Sequence, residues 1–379
     1  MMESNLSLYL SDLVAINSVN PDLSKDGQGE RAISQYINSH FNKLGIDSNI
    51  DTVINDRCNT TALLTGENSS QILLMNGHLD TVGIEGMDHP FSLRKNGDRL
   101  YGRGTYDMLA GCAIQMCLAE YFSDKSCPIS LAFTFVCDEE NKSIGMEHLV
   151  SNFLPSLQSK PFLGIFMEPT EGAIGICHKG YSWYELKING LAAHGSRPEQ
   201  GVNAIFPLQY ALAELASINK KLSQEDPHPY LGNATLHPGK ISGGTAQSVI
   251  AAEATLYWER RTLPGEDQEK IDQEIKQVVK AVESAPGDHR VTAKEIFRRP
   301  PNQSDKDNYI KMLKELVDDK DYRGMSYWAD SALAAEAGIP SILYGPAGHG
   351  AHAIDEWVSE SSMINCYQSL KNFILRIKK

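Results

Sequence analysis

The chain has 379 residues, 41% apolar and 22% charged, which is ordinary globular composition with room for two domains and excludes a disordered chain. No apolar run approaches the roughly 18 residues needed to cross a bilayer. A net charge of -13 disfavours nucleic acid and anionic membrane as partners and is compatible with a cationic small substrate. The opening segment MMESNLSLYL has neither a basic start nor a small-residue cleavage site, so a cytoplasmic protein is expected. Leu6, Leu10, Leu13 and Val14 are spaced like one helix face. Ala32, Ile33, Tyr36, Ile37, Phe41 and Leu44 give a clearer one, closed by Gly45. Apolar runs at 72–75, 129–136, 162–167 and 341–344 predict buried strands, with helices at 109–121 and 146–153 between them. Short apolar strands interleaved with helices predict an α/β sheet covered on both faces.

The middle of the chain differs. Trp183, Glu185, Lys187 and Asn189 alternate with Tyr184, Leu186 and Ile188, which predicts a half-buried strand. A helix is expected over 202–222 and strands over 234–241 and 248–261. A second helix follows Pro264 with Ile271, Ile275, Val278, Val279 and Val282, and a last strand is expected over 290–296. This β-α-β-β-α-β order matches a ferredoxin-like unit. An inserted domain is therefore expected at 179–292, between a first part at 1–178 and a second at 293–379. That second part carries helices near 305–317 and 329–337.

Acids and imidazoles gather at the ends of the predicted strands. The run 72–75 leads into Asn76-Gly77-His78-Leu79-Asp80, and 129–136 into Asp138-Glu139-Glu140. The run 162–167 leads into Glu168-Pro169, and 341–344 into a glycine-rich loop with His349 and His352. The loop Gly102-Arg103-Gly104-Thr105-Tyr106-Asp107 adds a carboxylate just before a helix. Open α/β sheets bind ligands outside the carboxyl ends of their strands. Taken singly, each piece reads as a solvated loop or a strand end; their weight comes from sharing one sheet edge. Imidazole with carboxylate suits zinc, cobalt or manganese. Many converging carboxylates repel, and two metals sharing one carboxylate at roughly 3.5–4 Å would relieve this. Of the adjacent acids Glu139 and Glu140, one can bind metal while the other serves as a general base. His89, His148, His228, His237 and His289 read as surface or capping residues.

Other chemistries lack their motifs. There is no G-x-S-x-G elbow, no phosphate-binding G-x-x-x-x-G-K-[ST] loop, and no G-x-G-x-x-G after a strand. The seven cysteines, at 58, 112, 117, 127, 137, 177 and 366, stand singly with no CxxC pair, so neither a disulfide framework nor a thiolate zinc site is indicated.

The segments LVAINSVNP, NGHLDTV, YGRGTYDMLAG, CDEEN, MEPT, HKGYSWYELKINGLAAHGSRPEQGVNAI, GGTAQSVIAAEATLYWERRTLPG and GPAGHGAHAIDEWV fall in a known order. With them the chain resembles the dinuclear zinc amidohydrolases, a family that includes acetylornithine deacetylase, succinyl-diaminopimelate desuccinylase, aminoacylase and glutamate carboxypeptidases. The resemblance implies a zinc-peptidase-like catalytic domain with a mixed sheet, and an inserted lid that also dimerises. It implies two Zn2+, with Co2+ or Mn2+ as substitutes. His78 and Glu168 would hold one metal, Glu140 and His352 the other, and Asp107 would bridge them. Asp80 would orient His78. Glu139 would be the base that takes a proton from the attacking water and passes it to the leaving amine. Arg261 would grip the substrate's α-carboxylate. His194 and the turn Gly243-Gly244-Thr245 would complete the site, His194 reaching the partner subunit of a homodimer. Spacing cannot choose between His349 and His352; the resemblance selects His352. One departure is Leu109, where the family often has lysine. The expected substrate is a small N-acyl amino acid, best N-acetylornithine, giving ornithine and acetate. N-succinyl-diaminopimelate, another N-acyl amino acid or a dipeptide are alternatives within the class. A non-catalytic binder of amino-acid derivatives is the reading from another class, and an aminopeptidase a further one.

Overall fold

Four of the apolar runs form the parallel centre of one sheet. Ile129–Val136, Asn68–His78, Leu163–Phe166 and Ser341–Leu343 lie side by side in that order, each parallel to its neighbour. Asp47–Ile54 and Arg57–Leu64 add antiparallel strands on one side, and Ile174–His178 adds one on the other. The sheet is therefore mixed. Register pairs His78 with Val136 and Asn76 with Phe166, so the parallel strands end at nearly one level. The acids that follow them in sequence emerge there together.

The computed structural model describes residues 3–304 and 306–377. The chain divides into one unit of Met1–Cys177, Gln303–Gly324 and Ala329–Lys379, and another of His178–Asn302 and Met325–Trp328. In the first unit the helix Ala110–Ser123 is buried along nearly all its length, as its apolar composition requires. Glu3–Val14 buries Leu6, Leu10 and Leu13, and Arg31–Lys43 buries Ile33, Ile37 and Phe41. The helix expected over 305–317 is Asn308–Lys314, opened by Asp307, whose carboxylate accepts from the Ile310 amide at 2.8 Å. Asp305 lies outside the described residues.

Several elements have no counterpart in the sequence reading. The strands Asp47–Ile54 and Arg57–Leu64 are two, and the terminal helix Glu360–Arg376 is a third. A small sheet is the fourth, built of Arg94–Asn96, Arg99–Tyr101, Gly348–His349 and Trp357–Ser359. Its strands of two or three residues are too short to show a period. It matters because it pairs Trp357 with Tyr101, laying the loop after His352 beside the turn that leads to Asp107.

The second unit is an antiparallel sheet in the order Thr235–Gly243, Glu253–Thr262, Gly180–Asn189, Arg290–Arg299. The helices Leu208–Leu222 and Gln268–Glu283 contribute Leu208, Leu215, Ile218, Ile271 and Val278 to its core, which also takes Tyr184, Leu186 and Ile188. Trp183, Glu185 and Lys187, on the other face of that strand, stay half-exposed. The first helix starts at Leu208 rather than at 202. Pro207 disfavours helical backbone at Phe206, so the helix can begin only at the proline.

Candidate metal centre

His78 ends a central strand, and both its ring nitrogens are committed. Nδ1 lies 2.8 Å from the Asp80 carbonyl, which can only accept, so Nδ1 carries the hydrogen. Nε2 is left facing the acids: Asp107 Oδ1 at 3.1 Å, Glu139 Oε2 at 4.0 Å and Glu168 Oε2 at 4.0 Å. On the far side of Asp107, His352 Nε2 stands 3.5 Å from Oδ2 and 2.9 Å from Glu140 Oε2. Asp107 thus lies between two imidazoles, one carboxylate oxygen toward each. Ligand atoms of His78, Asp107 and Glu140 all fall within 4.8 Å of one another. His349 does not join them; its ring lies beside Trp357 at 6.4 Å.

Burial and crowding set the charges. Burial, then Glu168, pushes the Glu139 carboxyl well above its usual range. Burial, then Asp107, raises Glu140 to about 7, and burial raises Glu168 to about 8 with Asp107, Asp330 and Glu140 adding to it. Hydrogen bonds to Asp107 and Glu140 raise His352 to about 10. Burial opposes charge on His78, but Asp107, Glu168 and Glu139 outweigh it and hold its pKa well above the usual value. Buried Asp107 nonetheless stays ionised, because both histidines donate to it. Glu140 Oε1 is buried without a hydrogen-bond partner. Carboxylates that protonate for lack of a counter-charge, an orphaned oxygen and two imidazole nitrogens whose protons a metal would displace together fit divalent cations.

These shifts fix a pH dependence. Above pH 4.5 the unfolded chain has lost the carboxyl protons that folded, metal-free Glu140 and Glu168 keep to about 7 and 8. Above pH 6.5 it has lost the proton that His352 keeps to about 10. At these three groups the folded state therefore binds more protons between about pH 5.5 and 8, and their contribution to its stability falls as pH rises; the neutral buried His178, lowered to about 4, opposes them only below pH 6.5. Melting of chelator-treated protein should shift downward between pH 5.5 and 8, and divalent metal should bind more tightly over the same interval. A metal-free Tm that rises with pH would refute this account.

The acids are held from behind. Asp80 acts on His78 through its main-chain carbonyl; its carboxylate oxygen Oδ1 is 3.8 Å from Nδ1, beyond hydrogen-bond reach. The contact between Asp80 and His78 therefore runs through the main chain. The carboxylate instead accepts the Glu139 amide at 3.0 Å and the Glu140 amide at 3.2 Å. The two glutamates follow a turn at Asp138, whose φ is 67°, and that turn, not strand alternation, separates their side chains. Asn20 Nδ2 donates to Asp80 at 2.9 Å and to Asp138 at 3.0 Å. Arg57 Nη2 lies 3.0 Å from Asp138, and the guanidinium is gripped through both Nε and Nη2 by Glu30 at 2.6 Å. Asn20, Arg57, Glu30 and Asp138 were not read as site residues. Asn20 lies within the segment LVAINSVNP and Asp138 within CDEEN, while Glu30 and Arg57 lie in none of the quoted segments.

The remaining expected residues belong to the second unit. Arg260 and Arg261 face opposite sides of one strand. Arg260 is buried, paired with Glu266 at 2.7 Å and Glu274 at 3.0 Å. Arg261 is partly exposed, 2.6 Å from Glu259 and stacked 5.2 Å above the Tyr181 ring. His194 is exposed, and its Nδ1 accepts the Ser196 amide at 3.2 Å. In the neutral ring Nε2 therefore carries the hydrogen and is a donor turned outward. Gly243, Gly244 and Thr245 line a cavity of about 420 Å³ with Ala192 and Val249.

Peptidase family M20/M25/M40 matches residues 74–376. The chain belongs to this family. It is a metallo-hydrolase acting on amide bonds. It is 27% identical to acetylornithine deacetylase of Aliivibrio fischeri over 364 residues, 93% of each chain. It is 26% identical to that of Proteus mirabilis over 386 residues, 98% of this chain and 97% of the relative. Its fold is similar to a tripeptidase from Staphylococcus aureus (TM-score 0.79, 22% identity, 98% and 97% covered). It is also similar to a dinuclear metal-binding peptidase from Bacillus subtilis (TM-score 0.74, 14% identity, 99% and 98% covered). Among the described residues no helix is long and apolar enough to cross a membrane.

Proposed function

We propose that this M20-family chain is a dinuclear amidohydrolase that removes the acyl group from the α-nitrogen of an amino acid, with N-acetylornithine as substrate and ornithine and acetate as products. The observation that carries the reading is Asp107, set between His78 at 3.1 Å and His352 at 3.5 Å at the carboxyl end of the parallel strands. His78 and Glu168 would hold one Zn2+, Glu140 and His352 the other, with Asp107 shared; Co2+ or Mn2+ are substitutes. When bound, the metals polarise the amide carbonyl and make water more acidic. Glu139 takes the proton from the attacking water as its oxygen bonds to the acyl carbon. The same carboxyl then gives the proton to the amine nitrogen as the C–N bond breaks.

The 27% identity to acetylornithine deacetylase along nearly the whole chain supports the substrate. Seven free, buried cysteines fit a reducing cytoplasm. The inserted segment would serve as lid and dimer contact, with His194 and the 243–245 turn completing the site. A panel of N-acetylornithine, N-acetylmethionine, N-succinyl-diaminopimelate, a glutamyl-folate analogue and a dipeptide, each with zinc and cobalt, tests the substrate. Highest kcat/KM on N-acetylornithine is expected; faster turnover of the dipeptide would sink the deacetylase reading.

Arg261 supplies the grip on the α-carboxylate, since a guanidinium fork matches carboxylate geometry. Arg261→Ala should raise KM for free-carboxylate substrates and spare the corresponding amides, which offer no charge to the fork. Equal losses on both would show that Arg261 only supports the strand through Glu259 and Tyr181.

A further inference from the structure

Glu356 is buried, and it uses both carboxylate oxygens fully. Oε1 accepts the Tyr106 amide at 2.8 Å and the Asp107 amide at 3.1 Å. Oε2 accepts the Gly104 amide at 2.9 Å and pairs with Arg103 Nη1 at 2.8 Å. The Glu356 carbonyl in turn accepts the Gly102 amide at 3.4 Å. One side chain therefore satisfies three main-chain donors of the turn that delivers Asp107, those of Gly104, Tyr106 and Asp107. It stands four residues beyond His352, on the loop that brings the other imidazole to Asp107. That turn is not a regular helix: Asp107 has φ -120° and ψ 93°, and its own bonds, Thr105 N to Gly102 O at 3.3 Å and Leu109 N to Gly104 O at 2.8 Å, leave the Tyr106 and Asp107 amides to Glu356.

We infer that Glu356 is a positioning residue: its carboxylate fixes the 104–107 turn so that Asp107 presents one oxygen to His78 and the other to His352. The inference rests on the reading of Asp107 as a shared metal ligand. It assigns a role to a residue that contacts neither metal nor substrate. Groups that orient metal ligands typically change metal affinity about 10–100-fold when altered.

The chemistry of the carboxylate supplies the test. A glutamine has one acceptor oxygen and one donor nitrogen, so Glu356→Gln can serve only one of the two donor pairs. Arg103→Gln removes the ion pair but leaves the three amide bonds. In Glu356→Gln, competition against a chromophoric chelator should show zinc bound about 10–100-fold more weakly. Amide hydrogen exchange at Tyr106 and Asp107, measured without metal, should rise relative to the core strand Ile129–Val136. In Arg103→Gln both readouts should stay near wild type even though Tm falls. If Glu356→Gln does not fold because Arg103 is stranded, the double variant Arg103→Gln/Glu356→Gln removes the unpaired charge and takes its place. Unchanged zinc affinity and unchanged exchange at Tyr106 and Asp107 would overturn the inference, as would equal losses in the Arg103 variant. Wild-type protein that binds no divalent metal would overturn the metal reading instead, and the exchange data would still decide the clamp.

Discussion

Glu139→Gln keeps its metal and loses turnover by about 10²–10⁴, the usual contribution of a positioned proton-transfer group. The expectation follows from how the adjacent acids are placed. Glu140 lies 2.9 Å from His352, close enough for the two to hold one cation between them. The Glu139 carboxylate stands 4.0 Å from His78 Nε2, within reach of a water placed between the imidazoles. Both amides are pinned by Asp80, so an isosteric amide at 139 disturbs neither the turn nor its neighbour. Metal analysis beside steady-state kinetics decides the matter. Loss of metal in Glu139→Gln with retention in Glu140→Gln would exchange the two roles.

His194→Ala lowers kcat by about 10²–10³, the cost of removing one donor aimed at a developing oxyanion, while metal content and folding stay as in wild type. The Ser196 amide fixes the tautomer that makes Nε2 the donor, and the exposed ring has no fold-stabilising partner beyond that local turn. If the donor acts across a dimer, mixing the His194→Ala and Glu139→Gln proteins restores activity. Each mixed dimer then joins one intact base to one intact histidine. Recovery only in proportion to contaminating wild type would place His194 in its own subunit's chemistry or outside the reaction.

The sheet and its reactive edge were legible because buried parallel strands are short apolar runs and the reactive groups follow directly in sequence. His78, Glu139, Glu140 and Glu168 all come from that pattern. The strands at 47–64 escaped because Asn49, Thr52, Asn59, Thr60 and Thr61 interrupt any apolar alternation. The supporting groups escaped for a different reason. Asp80 sits two residues after a histidine, a spacing that does not say which of its groups meets the ring. Only the folded backbone shows the carbonyl taking that part and the carboxylate turned to the 139–140 amides. Glu356 bonds to main-chain amides some 250 residues away in sequence, and backbone donors leave no residue-type signature. Arg57 and Asn20 likewise act through Asp138 and Asp80, at distances in sequence that no local pattern encodes.

The small sheet that pairs Trp357 with Tyr101 also closes a long loop. His78 and His352 stand about 270 residues apart in sequence, and pairing distant segments costs chain entropy that local contacts do not offset. A ladder of two or three residues on each side offsets little of it, so the His352 segment also leans on what lies beside it: Glu356 bonded to the Gly104, Tyr106 and Asp107 amides. Fraying of those short strands would withdraw Glu356 and His352 from Asp107 in one movement.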